Sequence, residues 1–181
     1  RAGRDRQWRR TGADDSGVRS RADPLRTAMN LHGLAFPDDL LYAPEHNLWL
    51  REEADGCLTL GLTAYGCALY GQIFAFTPKR DGQRIEQNRS FGVVEFAKAA
   101  SSARSPLSGI LHSSNAEVVR RPALINQDCY GSGWLVRLIA DDLALLKTQL
   151  LTGAAARQAF AERMTRDGFD PLAEGVQVLG D

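Results

Sequence analysis

Long apolar runs, net charge and paired cysteines are all scarce in this 181-residue sequence, and each scarcity removes a class of protein. No stretch approaches the roughly 20 consecutive apolar residues that a membrane-spanning helix needs, so the chain reads as soluble. Its 22 Lys and Arg are balanced by 22 Asp and Glu, which leaves no global field to draw it onto nucleic acid or an anionic membrane. Cys57, Cys67 and Cys129 stand far apart, with no C-x-x-C pair and no secretory apolar segment before them. An odd number so arranged points to a reducing cytoplasm rather than a disulfide framework. His32, His46 and His112 are equally scattered, so neither thiol nor imidazole spacing suggests a metal centre.

The neutrality is unevenly distributed. Residues 1–28 hold eight Arg against four Asp, so the remainder of the chain is mildly acidic. This first segment has no apolar period and is rich in Arg, Asp, Gly and Ser, a composition that cannot bury enough surface to offset the entropy of ordering. It reads as a disordered or artefactual tail, with translation expected to begin at Met29. The four aspartates argue against an organellar transit peptide. With only Trp8 as an interleaved aromatic, the segment is a poor nucleic-acid binder. The folded unit is expected over 29–171, and 172–181 as a C-terminal tail.

From Tyr42 onward the chain breaks into short runs rich in Leu, Val, Ile, Phe and Trp: 47–51, 57–62, 72–76, 91–96, 109–112 and 134–139. Gly, Pro, Asp and Ser clusters separate them, which is the signature of a mostly β sandwich or barrel. A short helix is expected after Thr63, with Ala64, Cys67 and Ala68 on one face. A longer one fits 141–151, where Asp141 or Asp142 can cap and Leu143, Leu146 and Leu150 recur at helical spacing. Another fits 154–164. Trp49, Trp134 and Tyr65 read as packing aromatics.

Within this frame one segment stands out for chemistry. Phe91-Gly92-Val93-Val94-Glu95-Phe96-Ala97-Lys98-Ala99-Ala100-Ser101 is an apolar strand ending in a single lysine flanked by alanines. A lysine at a hairpin tip gains nothing from burial, and small neighbours leave its amine open to a modifying enzyme. Acylation there removes the charge and turns the four-carbon stem into the base of an arm. A solvated turn lysine is the ordinary alternative.

Gly92 to Ser101, followed by Ser105-Pro106-Leu107-Ser108-Gly109, resembles the lipoyl and biotinyl carriers, and within them the glycine cleavage H proteins, with their G-V-V-E-S-V-K-A-A-S and S-P-V-S-G. Gly82 lies 16 residues before Lys98 and Gly109 lies 11 after it, the register of the turn glycines in these families. Both should sit where the backbone needs φ > 0 or two strands approach closely. Biotinyl domains usually flank the lysine with methionines; Ala97 and Ala99 favour lipoate. The resemblance extends to Tyr42-Ala43-Pro44-Glu45-His46-Asn47-Leu48-Trp49, to Gly61-Leu62-Thr63-Ala64-Tyr65, and to Asn126-Gln127-Asp128-Cys129-Tyr130-Gly131-Ser132-Gly133-Trp134-Leu135-Val136.

The resemblance implies a lipoyl/biotinyl-carrier hybrid β sandwich with a short helix and a C-terminal helix. It implies a carrier rather than an enzyme, with lipoate attached as an amide to Lys98. Glu95 is either a surface carboxylate or a residue that the modifying enzyme reads. The implied partners are glycine decarboxylase, aminomethyltransferase and dihydrolipoamide dehydrogenase, together with a lipoate ligase or lipoyl-transfer enzyme. Four features depart from the family pattern: one extra residue between His46 and Trp49, Gln72 for the usual acid, Phe96-Ala97 for Ser-Val, and Thr77-Pro78-Lys79-Arg80 for E-L-P-x. An extra residue in a strand reverses side-chain facing unless a bulge absorbs it. Such changes suit a retained scaffold with altered partners, so two alternatives stay open. One is an H-like lipoyl carrier in cytoplasmic sulfur oxidation beside a heterodisulfide-reductase-like complex; the other is a non-lipoylated interaction module.

If residues 1–28 contribute nothing to the core, a chain starting at Met29 should melt at the temperature of the full chain. Differential scanning calorimetry of the two checks this, and a clear drop on truncation would show that the segment docks.

Overall fold

The computed structural model describes residues 28–97 and 99–173. Of the expected tails, all but Ala28, Leu172 and Ala173 lie outside the described residues, and so does Lys98.

The described chain is mostly β. A short hairpin, β1 (Ala28–Leu31) and β2 (Leu34–Pro37), precedes a six-stranded antiparallel sheet of β3 (Leu41–Ala43), β4 (Leu48–Glu52), β5 (Leu58–Leu62), β7 (Arg84–Ile85), β10 (Gly109–Ser114) and β11 (Val136–Ala140). Its order is β3-β4-β5-β11-β10-β7. A three-stranded antiparallel sheet, β6-β8-β9, is built from β6 (Ile73–Pro78), β8 (Ser90–Phe96) and β9 (Ala99–Arg104). Five helices decorate the sheets: α1 (Ala64–Tyr70), α2 (Ala116–Arg120), α3 (Leu124–Gln127), α4 (Leu143–Gln149) and α5 (Gly153–Arg166).

All six expected strand runs are strands. The five that sequence reading did not locate, β1, β2, β3, β7 and β9, are short or, in β9, made of Ala and Ser, so no apolar alternation marks them. The short helix follows Thr63 as expected, and Thr63 Oγ1 caps it by accepting from Gly66 N at 3.1 Å. Asp142, one of the two expected caps, accepts from Leu145 N at 2.9 Å at the start of α4.

Alternation along β4 explains the core. Leu48 and Leu50 enter one apolar cluster with Leu58, Leu60 and Leu62 of β5, Ile73 and Phe76 of β6, and Phe91 and Val94 of β8. This cluster lies between the two sheets. Trp49 points the other way, into a second cluster with Phe36, Tyr42, Tyr65 and the α5 residues Ala156, Phe160 and Met164. The α5 trio recurs every four residues, one stripe of a helix. Phe160 sits 4.7 Å from Phe36 and 5.8 Å from Tyr42, ring centroid to centroid, distances at which aromatic pairs attract beyond their buried area. The helix α1 is wedged between the clusters: Cys67 belongs to the first, Ala64 and Ala68 to the second. The single shared face expected for these three is therefore corrected, because a helix packed on both sides needs no single stripe.

The extra residue before Trp49 does not disturb the ladder. Pairing of β4 with β5 runs unshifted from Leu48↔Leu62 to Glu52↔Leu58. A 3-10 turn over Pro44–His46 precedes the strand, and Asn47 leaves it in the left-handed region at φ 55°. Asn tolerates this conformation better than most residues. The turn is held from α5, where Arg163 donates to the Pro44 carbonyl and pairs with Glu45 at 3.8 Å. Tyr65 donates to Asp167 at 2.8 Å just beyond α5. Burial and this bond push the Tyr65 phenol up to about 12, and the same donation holds the Asp167 carboxyl below its usual range.

The two glycines act by different physics. Gly82 has φ +81° with open space around it, and its N–H donates to the Leu111 carbonyl at 2.7 Å. Gly109 sits in β10 so close to β11 that a Cβ would lie 2.2 Å from the Ile139 carbonyl oxygen. Gly82→Ala should cost about 1 kcal/mol, the strain of a left-handed alanine. Gly109→Ala should cost more, about 3 kcal/mol, because backbone must move against backbone. Urea unfolding of both variants checks the order; equal losses would contradict it.

Candidate functional site

The segment singled out for chemistry folds as the hairpin β8–β9. Its register runs from Gly92↔Ala103 through Glu95↔Ala100 to Phe96↔Ala99, so only residues 97 and 98 connect the strands. Two-residue connections impose a tight reversal and a fixed register. An irregularity between Ser90 and Gly92 interrupts the alternation at Phe91, so that Phe91 and Val94 are both buried, while Glu95 is exposed and Phe96 half-buried,. Ala97, Ala99 and Ala100 are exposed. The chain on both sides of position 98 thus offers methyl groups to solvent and nothing bulky, which leaves room for an enzyme or an acyl arm. The other two lysines stand elsewhere. Lys79 follows β6 at its far end, where Pro78 pairs with Gly92, and Lys147 on α4 is ion-paired with Glu52 at 2.6 Å.

The hairpin leans on α1. The Tyr70 ring at the end of that helix stacks on Phe96 with centroids 4.9 Å apart and planes 17° from parallel, and its hydroxyl hydrogen-bonds Ser101 Oγ of β9 at 3.3 Å. The turn from α1 into β6 is clamped by Asn126 of α3. Its Oδ1 accepts from Ile73 N at 3.0 Å, and its Nδ2 donates to the Gly71 carbonyl at 2.8 Å. Cys67 Sγ donates to the Ile125 carbonyl at 3.4 Å. A hydrogen bond with Cys129 and burial push the Cys67 thiol well above its ordinary value, so it is a packing group and not a nucleophile. A bulge between Ile73 and Ala75 lets β6 meet β8 and leaves Phe74 half exposed, at 55%.

Of the residues expected to matter, Glu95 lies exposed three positions before Lys98, and Lys98 itself lies outside the described residues. The departures from the family pattern separate in space. Gln72 and Phe96 share the hairpin end of the small sheet, since Ile73 pairs with Phe96, whereas Lys79 and Arg80 follow its opposite end. His46 hydrogen-bonds Asn88 at 2.9 Å, while His32 and His112 are exposed. Among the described residues, no group of three His, Cys, Asp or Glu could hold a metal ion, and no helix is long and apolar enough to cross a membrane.

Sequence reading missed Tyr70, Asn126 and Tyr130. The Tyr130 hydroxyl donates to the Ala35 carbonyl at 2.7 Å and accepts from Ala64 N at 3.0 Å, tying the α3–β11 loop to β2 and α1. Asn126 and Tyr130 fall inside a motif noted for its resemblance, which was the available signal. No signal marked Tyr70.

Residues 40–163 match the family model described as "Glycine cleavage H-protein". The chain is 35% identical over 112 residues to glycine cleavage system H protein 5 of Aquifex aeolicus, covering 60% of this chain and 75% of that one. It is 33% identical over 126 residues to the glycine cleavage system H protein of Halorhodospira halophila, covering 70% and 95%. The crystal structure of a glycine cleavage system H protein from Mycobacterium marinum superposes with a TM-score of 0.59 at 26% identity, covering 74% of this chain and all of that one.

Asn126→Ala removes both bonds that hold the α1–β6 turn. The expected loss is about 1–2 kcal/mol in chemical denaturation, and Asn126→Asp should recover part of it by keeping the acceptor for Ile73 N. An unaffected Asn126→Ala protein would show that the clamp is idle.

Proposed function

The chain belongs to the glycine cleavage H-protein family, whose members are lipoyl carriers, and on that premise we propose that its lipoyl group is attached at Lys98. The observation that carries the assignment is the β8–β9 hairpin. It pairs the apolar strand β8 with a strand mainly of Ala and Ser, β9, in a register that ends at Phe96↔Ala99, with exposed alanines at 97, 99 and 100 and with Glu95 exposed three positions before the lysine. The exposed alanines 97, 99 and 100 suit an acyl arm because small side chains beside it leave space for the enzyme that attaches it.

In the leading reading the protein is a carrier in a reducing cytoplasm, not an enzyme. It moves an aminomethyl group from glycine decarboxylase to aminomethyltransferase, and dihydrolipoamide dehydrogenase resets the arm. The dithiolane supplies two-electron thiol chemistry when attached. The chain supplies reach, through the four-carbon stem of lysine, and recognition, through the surface around the hairpin. Glu95 is proposed as a contact for the lipoate ligase or lipoyl-transfer enzyme that installs the group.

A second reading rests on the departures at the hairpin end. Gln72 for an acid and Phe96 for serine change charge and bulk beside the arm, and changed surfaces redirect encounter without altering chemistry. In that reading the arm serves sulfur oxidation beside a heterodisulfide-reductase-like complex.

Intact-mass and peptide mapping of protein from its native host should find one lipoyl group, on Lys98, and Lys98→Ala should abolish it while leaving the melting temperature unchanged. A group on Lys79 or Lys147, or none, would overturn the assignment and favour a non-lipoylated interaction module. The lipoylated protein should then support decarboxylation of labelled glycine and transfer, beside a working H protein as control. Failure there, with reduction of the arm by a sulfur donor instead, would move the function to the second reading.

A further inference from the structure

The tip of the hairpin has little to hold it. Ala97, Ala99 and Ala100 are exposed methyl side chains, and among the described strands β9 is an edge strand, paired with β8 alone. The last cross-strand pair is Phe96↔Ala99, and β6 also begins there, with Ile73 opposite Phe96. Backbone bonds at the end of a narrow ribbon fray readily when no side chains pack over them.

The Tyr70 side chain reaches both strands at this end. Tyr70 stacks on Phe96 of β8, 4.9 Å between centroids, and hydrogen-bonds Ser101 of β9 at 3.3 Å. Tyr70 is itself well placed. Cys67, one turn earlier, donates to Ile125 O, and Gly71, the next residue, is gripped at its carbonyl by Asn126. The start of α1 is fixed by the Thr63 cap and by Tyr65, fully buried and bonded to Asp167. A rigid platform therefore runs from the second core through α1 to the hairpin. Phe96 is the half of the stack that departs from the serine of the family pattern.

We propose that Tyr70, acting through Phe96 and Ser101, is a positioning residue for acylation at position 98: it pins both strands of the hairpin to α1 and so holds the strand ends on either side of that position for an acylating enzyme. The proposal rests on the assignment of Lys98 as the attachment site. Its consequence is kinetic. A hairpin that wanders spends only part of its time in the competent arrangement, and apparent affinity falls by that fraction. Loss of the stack should raise KM for the acceptor protein more than it lowers kcat.

The test uses the full chain with Tyr70→Ala, Tyr70→Phe and Phe96→Ser, a lipoate ligase with lipoate and ATP, and hydrogen exchange of the amides flanking position 98. In Tyr70→Ala these amides should exchange roughly tenfold faster, with those of β4, β5 and α5 unchanged. The KM for lipoylation should rise by about the same factor with kcat little altered. Tyr70→Phe keeps the ring and should recover most of both effects, and Phe96→Ser should reproduce the loss if Tyr70→Ala fails to fold. Unchanged KM and unchanged exchange in Tyr70→Ala and Phe96→Ser, with normal modification at Lys98, would overturn the positioning role alone. Absence of modification at Lys98 in the unaltered protein would overturn the attachment site, and this proposal with it.

Discussion

Strands β4 and β5 are buried on both faces over most of their length, and that double burial governs the rest of the molecule. Leu48, Leu50, Leu58, Leu60 and Leu62 face the three-stranded sheet, whereas Trp49 faces away, over Gly61, where a Cβ would lie 2.6 Å from the indole ring. A sheet wet on one side would expose that indole. The β1–β2 hairpin and α5 cover it instead, and Trp49 Nε1 donates to the Cys129 carbonyl at 2.9 Å so that its one polar atom is not stranded,. The C-terminal helix is therefore an integral layer: Phe160 alone contacts Phe36, Tyr42 and Tyr65.

The small sheet has a different task. Among the described residues its inner face packs, through Ile73, Phe76, Phe91 and Val94, and Gly92 allows the Phe76 ring to approach to within 2.7 Å of where a Cβ would be. Burial rises toward the middle of β8 and fades toward position 98. A carrier needs this gradient. The strands are anchored firmly enough to hold register, while the end next to position 98 carries only exposed alanines; if the arm is attached there, as proposed, access rather than a pocket is what the hairpin provides.

Differences from the family pattern occupy two surfaces. Gln72 and Phe96 meet at the hairpin end, where any enzyme acting on the lysine must approach; Lys79 and Arg80 lie at the far end of β6. On the proposed attachment at Lys98, a change of partner would be felt first at the former, while the latter would act through longer-range electrostatics that salt screens.

Much of this was legible in the order of residues. The six principal strands show as apolar runs between turn clusters. The caps Thr63 and Asp142 are polar residues that precede helical spacing, and the lysine is marked by its ungapped surroundings and by two glycines in register. These are local or near-local signals, carried by periodicity and by conformations that only certain residues adopt. Folding in three dimensions decided the remainder. Ala64, Cys67 and Ala68 could not be assigned to two cores from a helical wheel, because the second core is assembled from strands and a helix more than 90 residues apart in sequence. The strand β9 has no apolar pattern and exists because β8 offers it a ladder. Tyr70 becomes the hairpin's support only when α1 packs beside β8, and Asn126 becomes a clamp only when α3 meets the α1–β6 turn. What depends on the chain's own spacing was readable from it; what depends on which distant surfaces meet was decided by packing alone.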